Sequence, residues 1–300
     1  MQAQRWHQLG SFRVRIRPGG DVTAEVSRLE RLLNDLRERP ERGTILHAGK
    51  DLTQMRAVAG APGRFVVVKR FARQGFFRDW WARRHGTAAE RSFSAAVFLC
   101  SRGLRTPEPW ACAERWEGGR LRDSLYLSDY LGGGISFKDE LIRLFAQEPE
   151  CALFMERLER VACAVRKMHD AGCQHRDLGN QNIMLASDAS ASNGQGIYFL
   201  DLNRARCHRE VSGRDRAFDL SRIALPSDLR RVFFEMYWRF PPDRGWLRWE
   251  RFFRTRFDWH TRTRVWRHPW RERRRRATQG QAAAYPAPRD QWVWDDRSAQ

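Results

Sequence analysis

The chain has 300 residues, 42% of them hydrophobic, and a formal net charge of +19. The hydrophobic content is enough to bury a sizeable core, which excludes a globally disordered protein. Arginine supplies nearly all of the positive charge, because the chain has only four lysines, Lys50, Lys69, Lys138 and Lys167. Such a surplus favours an anionic partner, whether nucleic acid, an acidic membrane face or a phosphorylated substrate.

The N-terminus and the cysteines indicate the compartment. The first residues contain no apolar segment of the kind that signal peptides have. No apolar run approaches the roughly 18 residues that a membrane-spanning helix needs. None of the six cysteines belongs to a Cys-x-x-Cys pair, which argues against a zinc ribbon. We therefore expect a cytoplasmic protein with free thiols, at most peripheral to a membrane.

Residues 1–43 predict an N-terminal extension made of a strand and a helix. Alternating apolar and basic side chains over Phe12–Arg17 are typical of a half-exposed strand. A helix is expected from Asp21, which suits an N-cap, to about Arg39, because Pro40 follows. The apolar stripe of this helix consists of Val22, Val26, Leu29, Leu32, Leu33 and Leu36.

Residues 44–131 predict a β-rich lobe with one inserted helix. That helix is expected over Trp80–Arg102, with a weak point at Gly86. The strands are expected at Thr44–Val58, Arg64–Phe71, Trp110–Glu114 and Ser124–Tyr130.

After the glycines at 132–134 the pattern becomes mainly helical, over residues 132–300. Helices are expected at Leu141–Phe145, at Leu153–Asp170 and from Leu220 onward. Between them, Ile183–Leu185 and Ile197–Leu202 predict a hairpin. The predicted fold class is therefore α+β, with a β-rich lobe, a glycine-rich joint, an α-rich lobe and a ligand cleft between the lobes.

The most informative motif is HRDLGNQN at residues 175–182, between a predicted helix and a predicted strand. Its H-R-D-x-x-x-x-N pattern puts the carboxylate of Asp177 and the carboxamide of Asn182 five residues apart. In phosphoryl transfer, such an Asp orients the acceptor hydroxyl and takes its proton, while the Asn holds Mg²⁺ on the nucleotide phosphates. The full spacing favours a kinase over a loop that merely caps a helix.

Two further residues fit the same chemistry. Asp201 ends an apolar strand nineteen residues after Asn182, where a kinase carries its main Mg²⁺ ligand. Lys69 closes the apolar run Phe65–Val68, and a lysine in this position reaches the α and β phosphates. The alternatives are an Asp that caps a turn and a lysine that snorkels from an edge strand.

Three other assignments rest on position. Glu90 is chosen by elimination as the ion-pair partner of Lys69, because it is the only acidic residue between Asp79 and Glu108. A solvent-facing glutamate is the alternative. Asp129 and Leu131 occupy the place of a kinase hinge, which would offer backbone groups to adenine. There is no G-x-G-x-x-G motif, and residues 49–53 are the segment that could turn over the phosphates.

These residues resemble the bacterial lipopolysaccharide core kinases, a family of the protein-kinase-like superfamily that phosphorylates Kdo or heptose sugars. The resemblance covers roughly residues 44–225, and its signs are HRDLGNQNIML from 175, DLNRAR from 201 in place of D-F-G, and GLRTPEPWA from 103. It implies a bilobal protein-kinase-like fold that uses ATP and Mg²⁺. The implied site has Asp177 as the catalytic base, Lys69 and Glu90 at the phosphates, and Asn182 and Asp201 as metal ligands.

The sequence also departs from protein kinases. Gly179 stands where many of them carry a lysine that contacts the γ-phosphate, so either another cation serves there or the rate suffers. Asn203 replaces the glycine of D-F-G, and there is no A-P-E motif. Too few residues separate Asn203 from Asp219 for a long activation loop. These departures favour a kinase of a sugar or another small molecule over a regulated protein kinase.

Residues 244–276 form a basic segment with 13 arginines, 3 acidic residues and 5 tryptophans. Trp246, Trp249, Phe253 and Phe257 fall on one helical face. Core packing would explain this face, and so would a surface for anionic lipid or lipopolysaccharide. A second cluster of aromatic and basic residues spans 76–84.

We therefore predict an ATP- and Mg²⁺-dependent phosphotransferase that acts on a sugar hydroxyl of lipopolysaccharide core at the cytoplasmic membrane face. Its partners would be a lipid A-linked core sugar or another anionic glycan, and an anionic membrane surface. Another small-molecule kinase of this fold, a pseudokinase scaffold and a nucleic-acid-binding protein remain alternatives. The basic charge counts against acceptors that are themselves cationic, and the chain has no zinc finger or RNP motif.

Overall fold

A computed structural model describes residues 5–17, 22–73, 75–146, 151–187 and 195–263 of the chain. Within these ranges the protein has ten β-strands and eight α-helices, which confirms the predicted α+β class. Its contacts divide it into two compact units, the first made of Met1–Glu150 and Lys167–Val211 and the second of Cys151–Arg166 and Ser212–Gln300. The predicted lobe boundary after residue 131 does not coincide with this division, because most of the chain between the glycine-rich joint and Val211 belongs to the first unit.

Seven strands of the first unit form one antiparallel sheet. They are β1 (His7–Leu9), β2 (Phe12–Ile16), β3 (Thr44–Ala48), β4 (Leu52–Ala57), β5 (Phe65–Arg70), β6 (Pro109–Glu117) and β7 (Arg120–Asp129). Their order in the sheet is β1-β2-β6-β7-β5-β4-β3.

Two features of this sheet differ from the sequence-based prediction. The N-terminal extension is part of the sheet, because β2 pairs with β6 from Arg13 to Ile16. The stretch Thr44–Val58 forms two strands rather than one, since the chain turns at residues 49–51 between β3 and β4. The Asp51 carboxylate holds this turn by accepting a hydrogen bond from the Ala72 backbone N–H at 2.9 Å.

Helices cover both faces of the sheet. On one face, α1 (Val22–Glu38) packs its predicted leucine stripe against apolar strand residues in a core that contains Leu29, Leu32, Leu33, Leu36, Val66, Val68, Leu125 and Leu127. On the other face, α3 (Ala88–Ser101) brings Ala89 and Phe93 against Phe71 and Cys112. Because side chains alternate along a strand, Lys69 of β5 points toward the α3 face.

The helix predicted over Trp80–Arg102 is broken at the expected position. Gly86 has a φ of 80°, in the left-handed region that favours glycine, and it ends α2 (Phe76–His85). Thr87 then caps α3, because its Oγ1 accepts a hydrogen bond from the Glu90 backbone N–H at 3.2 Å. Glu90 consequently lies in the first turn of α3.

A second, smaller sheet in the first unit carries the residues that follow the catalytic-loop motif. It consists of β8 (Ile135–Ser136), β9 (Ile183–Ser187) and β10 (Gln195–Phe199), with β9 between the other two. The helix α4 (Phe137–Ala146) directly follows β8. β9 and β10 are antiparallel, which agrees with the predicted hairpin, while residues 188–194 of its turn lie outside the described part of the chain.

The expectation of free thiols is wrong for Cys173 and Cys207, which form a disulfide. Their neighbours Gln174 and Arg206 pair as an isolated β-bridge, which holds the two Cα atoms of the cysteines 4.1 Å apart. Cys100, Cys112 and Cys163 are free. Burial raises the pKa of the Cys112 thiol well above its ordinary value, so this thiol is chemically inert.

The second unit is helical. It contains most of α5 (Cys151–Asp170), together with α6 (Gly213–Leu220), α7 (Ser227–Trp238) and α8 (Arg244–Arg262). Two members of the predicted aromatic face, Trp246 and Phe253, are buried and contact Phe234 and Phe218 edge to face. Core packing therefore explains part of that face. Residues 264–276, with the run Arg271–Arg276, lie outside the described residues.

Among the described residues, no helix is both long enough and apolar enough to cross a bilayer.

Candidate active site

The catalytic-loop motif begins where α5 ends. Gly172 follows the helix with a φ of 88°, and a Cβ on it would lie 2.8 Å from the backbone oxygen of Arg209. Both the conformation and the close contact therefore require glycine. The bridge between Gln174 and Arg206 comes next, so the loop starts beside the segment that carries Asp201.

His175 is a structural residue at the base of the loop. Its side chain is fully buried, and its Nε2 lies 2.8 Å from the backbone oxygen of Leu200. Its Nδ1 accepts a hydrogen bond from the Asp177 backbone N–H at 3.3 Å. Because Nδ1 accepts, the ring hydrogen is on Nε2, which donates a hydrogen bond to the Leu200 backbone oxygen. These contacts agree with the prediction that His175 builds the loop and does not act as a second base.

Asn182 is fixed by three hydrogen bonds. Its Nδ2 donates to the Asp177 backbone oxygen at 2.8 Å, and its backbone N–H donates to the Gly179 oxygen at 2.8 Å. Its own backbone oxygen accepts from the Leu200 N–H at 2.9 Å. The Asn182 Oδ1 has no hydrogen-bond partner among the described residues, so the amide is oriented with its oxygen available to a ligand.

Asp201 contacts Lys69 directly. The Lys69 Nζ donates to the Asp201 Oδ1 at 2.6 Å. This hydrogen bond joins β5 to the segment that follows the β9–β10 hairpin, although Lys69 and Asp201 are 132 residues apart in the sequence. Asp201 has a φ of 57°, a left-handed conformation uncommon for residues other than glycine. The backbone ahead of it is held by the connector, where Thr106 Oγ1 donates to the Phe199 oxygen at 2.8 Å.

Arg204 lies beside the predicted catalytic base. One of its guanidinium nitrogens is 3.3 Å from the Asp177 Oδ2, and the Arg204 side chain is 61% exposed. Arg91 also holds this segment, because its Nε donates to the Asn203 backbone oxygen at 3.0 Å. Burial lowers the pKa of the Arg91 guanidinium, and the charge of Glu90 opposes that effect.

Sequence reasoning did not single out Arg91 or Arg204. Arginine is so abundant in this chain that its occurrence at one position carries little information. The sequence did contain an indication that Arg204 belongs to the site. Gly179 replaces the lysine that contacts the γ-phosphate in many protein kinases, and Arg204 lies in the segment that replaces D-F-G.

Glu90 is not brought to Lys69. The Glu90 Oε1 instead pairs with the Arg15 guanidinium of β2 at 2.9 Å, and both side chains are largely buried. The predicted Lys69–Glu90 ion pair is therefore absent from the described structure. The reason is positional, because Glu90 lies in the first turn of α3, next to its cap, and β2 supplies a cation that sequence reasoning had not placed beside it.

This pairing predicts the effect of Glu90→Gln. Loss of a charge-assisted hydrogen bond at a partly buried site should lower the free energy of unfolding by about 1 kcal/mol. Turnover should fall by less than about threefold, whereas Lys69→Met should reduce it by a hundredfold or more, about 2.7 kcal/mol in the barrier.

Denaturant unfolding and steady-state phosphotransfer would measure the two effects. Arg15→Gln is the matched control, and its destabilisation should not add to that of Glu90→Gln in the double variant. A Glu90→Gln variant as inactive as Lys69→Met would contradict the assignment and restore Glu90 as the functional partner of Lys69.

The predicted hinge residues lie at the end of β7. The Asp129 carboxylate pairs with Arg64 at 3.1 Å, and the Asp129 backbone N–H donates to the Glu108 oxygen at 2.9 Å. Tyr130 donates its backbone N–H to Phe65 at 3.0 Å, and Leu131 follows, half-buried. None of these contacts brings Asp129 or Leu131 to the Lys69–Asp201 pair.

The residues present fit a magnesium ion. A carboxylate from Asp201 and an amide oxygen from Asn182 are hard oxygen donors, which Mg²⁺ prefers. Their backbones are tied together through the hydrogen bond between Leu200 and Asn182. The described residues contain no group of three or more His, Cys, Asp and Glu side chains that could hold a metal ion, so the fit rests on the Asp201 carboxylate and the Asn182 amide alone.

A family model described as the lipopolysaccharide kinase (Kdo/WaaP) family matches residues 62–238, which is more than half of the chain. The lipopolysaccharide core heptose(I) kinase WaaP of Escherichia coli (strain K12) is 28% identical over 153 residues. This region is 51% of the present chain and 58% of the E. coli protein, so the chain spans little more than half of that relative's length.

A solved structure of a WaaP protein supports the fold. The structure of WaaP in complex with acyl carrier protein superposes with a TM-score of 0.55 at 22% sequence identity, and the match covers 74% of this chain and 93% of that chain. This likeness confirms the predicted protein-kinase-like fold. The kinase domain of Mycobacterium tuberculosis PknI superposes with a TM-score of 0.41 at 18% sequence identity, over 67% of this chain and 73% of that chain.

Proposed function

The chain belongs to the lipopolysaccharide kinase (Kdo/WaaP) family, and from this premise we propose that it transfers the γ-phosphate of ATP to a sugar hydroxyl of lipopolysaccharide core. The observation that carries the proposal is the contact of Lys69 with Asp201 at 2.6 Å, beside the loop that bears Asp177 and Asn182. Kinase chemistry needs these four groups together, because three of them, Lys69, Asn182 and Asp201, would hold the nucleotide phosphates and the metal while Asp177 would face the acceptor.

In this proposal each side chain has one task. Lys69 binds the α and β phosphates of ATP. When ATP binds, these phosphates replace Asp201 as the partner of the Lys69 ammonium group. Asp177 accepts a hydrogen bond from the sugar hydroxyl, aims its oxygen at the γ-phosphate and takes its proton. Asn182 and Asp201 supply the oxygen ligands of Mg²⁺, which when bound neutralises charge on the phosphates.

Arg204 supplies the positive charge that many protein kinases bring to the γ-phosphate with a lysine at the position of Gly179. It is exposed, it lies within 3.3 Å of Asp177, and it follows the metal-binding Asp201 by three residues. A guanidinium in this place can pair with the γ-phosphate as charge develops during transfer.

Arg204→Gln should therefore lower kcat by about a hundredfold and change the KM for ATP much less. Arg204→Lys should recover part of this loss, since it restores the charge without the planar fork. The matched control is Arg206→Gln, which changes an exposed arginine two residues away. Steady-state kinetics in which Arg204→Gln behaves like the Arg206→Gln control would exclude the role.

The acceptor and the site of action follow from the family and from the charge. The acceptor is Kdo or heptose of the lipid A-linked core, and the net charge of +19 suits such an anionic glycan. An acceptor anchored in lipid requires the enzyme to work as a peripheral protein at the cytoplasmic membrane face.

Mass spectrometry of the reaction products would test the substrate. Core oligosaccharide without phosphate, incubated with ATP, Mg²⁺ and the enzyme, should gain phosphate on Kdo or on heptose, and fragmentation would locate it. An aminoglycoside and a generic protein acceptor serve as controls and should remain unmodified. Modification of either control in preference to the oligosaccharide would favour another kinase of this fold, and nucleotide binding without any product would favour a pseudokinase.

A further inference from the structure

The helix α2 exposes four large aromatic side chains in two turns. Phe76, Phe77, Trp80 and Trp81 are 62%, 84%, 57% and 48% exposed. Neighbouring apolar groups on a soluble surface are usually covered by a partner, because their contact with water is unfavourable. α2 therefore requires an explanation that the catalytic site does not provide.

The four aromatic residues share one side of the helix. With about 100° of rotation per residue, they fall within an arc of about 140°. The opposite side of α2 is attached to the protein through Asp79, which is 1% exposed and accepts a hydrogen bond from the Arg120 Nε of β7 at 2.8 Å. This ion pair, in which the carboxylate is buried and the Arg120 side chain is partly exposed, fixes the orientation of the helix and keeps the aromatic side turned outward.

Arginine residues flank the aromatic side of α2. Arg78 and Arg84 are exposed, and neither forms an ion pair with a described residue. Arg83 lies against the Trp116 ring, with its Cζ 5.0 Å from the centroid. The only acidic residue of α2 is the buried Asp79, so the exposed part of the helix is uniformly cationic. Exposed tryptophan and phenylalanine flanked by arginine are typical of helices that lie in the interface of an anionic bilayer.

The second aromatic and basic surface, on α8, is a weaker candidate. The Trp249 ring stacks on Phe253 with the centroids 5.9 Å apart, but the Trp81 ring of α2 has a similar contact with His85 at 4.3 Å, so burial and not ring contact separates the two helices. Trp246 and Phe253 of the same helix are buried in the second unit. Phe252 and Trp259 are exposed, but α8 leads into residues outside the described part of the chain.

We propose that α2 is the element by which the protein docks on an anionic lipid surface, with Phe76, Phe77, Trp80 and Trp81 entering the headgroup region and Arg78 and Arg84 contacting lipid phosphates. The inference deepens the proposed function, on which it rests for its cellular setting. The binding itself requires neither ATP nor a sugar acceptor.

Co-sedimentation of the full-length protein with vesicles tests the proposal. Vesicles of phosphatidylcholine with phosphatidylglycerol present an anionic surface, and pure phosphatidylcholine vesicles are the neutral comparison. The double variant Phe77→Ser/Trp80→Ser should lower the partition coefficient on anionic vesicles by roughly tenfold or more. Arg78→Gln/Arg84→Gln should reduce the preference for anionic over neutral vesicles. The matched control is Phe252→Ser/Trp259→Ser on α8, which should change binding by less than about twofold.

Folding of the variants can be checked independently. The substituted side chains are exposed, so circular dichroism and the unfolding temperature should match the wild type. If the double variant does not fold, Phe77→Ser alone, at the most exposed position, replaces it and should still weaken binding.

Absence of wild-type binding to anionic vesicles, wild-type-like binding of the α2 variants, or an equal loss in the α8 control would each overturn the proposal. Because the assay contains no nucleotide, its failure would leave the proposed phosphotransfer standing, and a failure of phosphotransfer would not affect it.

Discussion

Asp177→Ala is expected to reduce turnover by about a thousandfold or more, the scale of a lost catalytic base together with its positioning effect. The carboxylate is the group that would orient the acceptor hydroxyl and take its proton. Nucleotide affinity should change little, because Lys69, Asn182 and Asp201 remain. The Asp177 backbone should also stay in place, since its N–H bonds to His175 and its oxygen accepts from Asn182.

Rate measurements at saturating ATP and acceptor would test this prediction, with ATP affinity measured separately. Asp177→Asn preserves the shape of the side chain and should be nearly as inactive. Asp228→Ala, at an exposed position in the first turn of α7, provides the same substitution outside the site and should retain full activity. If Asp177→Ala turned over at a rate close to that of the wild type, the result would contradict the proposed role of Asp177 as the catalytic base.

Asp201→Ala is expected to have a similarly large effect through a different step. It removes a proposed Mg²⁺ ligand and also the partner of Lys69 at 2.6 Å. We expect turnover to fall by about a hundredfold to a thousandfold, as it does when a preorganised electrostatic group at a reacting centre is lost. We also expect the dependence of ATP affinity on Mg²⁺ to disappear.

Titration of ATP with and without Mg²⁺ would separate this variant from Asp177→Ala. The wild type and Asp177→Ala should both bind ATP more tightly when Mg²⁺ is present, whereas Asp201→Ala should not. Lys69→Met is the companion variant, and it should weaken ATP binding at every Mg²⁺ concentration. If Asp201→Ala keeps the wild-type response to Mg²⁺, another residue must hold the metal.

The parts of the site that are close in sequence could be predicted from the sequence. The five-residue spacing of Asp177 and Asn182 fits one tight loop, and the apolar runs on both sides of residues 188–194 predict the hairpin that ends near Asp201. The leucine stripe of α1 and the helix break at Gly86 could likewise be predicted from residues that are close together in the sequence. In each case periodicity or a turn residue carries the information, and no distant contact has to be known.

The rest depended on contacts between distant segments. Glu90 was assigned by elimination, but the pairing of β2 with β6 places Arg15 beside it. The same pairing makes the N-terminal extension part of the main sheet. The Cys173–Cys207 disulfide likewise follows from the bridge between Gln174 and Arg206, which local propensities do not reveal. Strand pairing over such separations leaves almost no trace in a single sequence.

The structure also changes the interpretation of the positive charge. The sequence of residues 244–276 is compatible with core packing and with a lipid-binding surface, and Trp246 and Phe253 pack in the core of the second unit. The shorter cluster at 76–84 leaves its aromatic residues exposed, because the buried Asp79 holds α2 by its opposite side. Burial distinguishes the two surfaces, although their compositions are similar.

The central claim, phosphoryl transfer to lipopolysaccharide core, is tested most directly with radiolabelled ATP and lipopolysaccharide that lacks core phosphate. We predict that the wild-type protein with Mg²⁺ transfers label to the core glycan and that Asp201→Ala transfers it at least about a hundredfold more slowly. Label on protein or on a small cationic acceptor, with none on lipopolysaccharide, would contradict the claim. So would a wild-type protein that binds ATP and labels no acceptor.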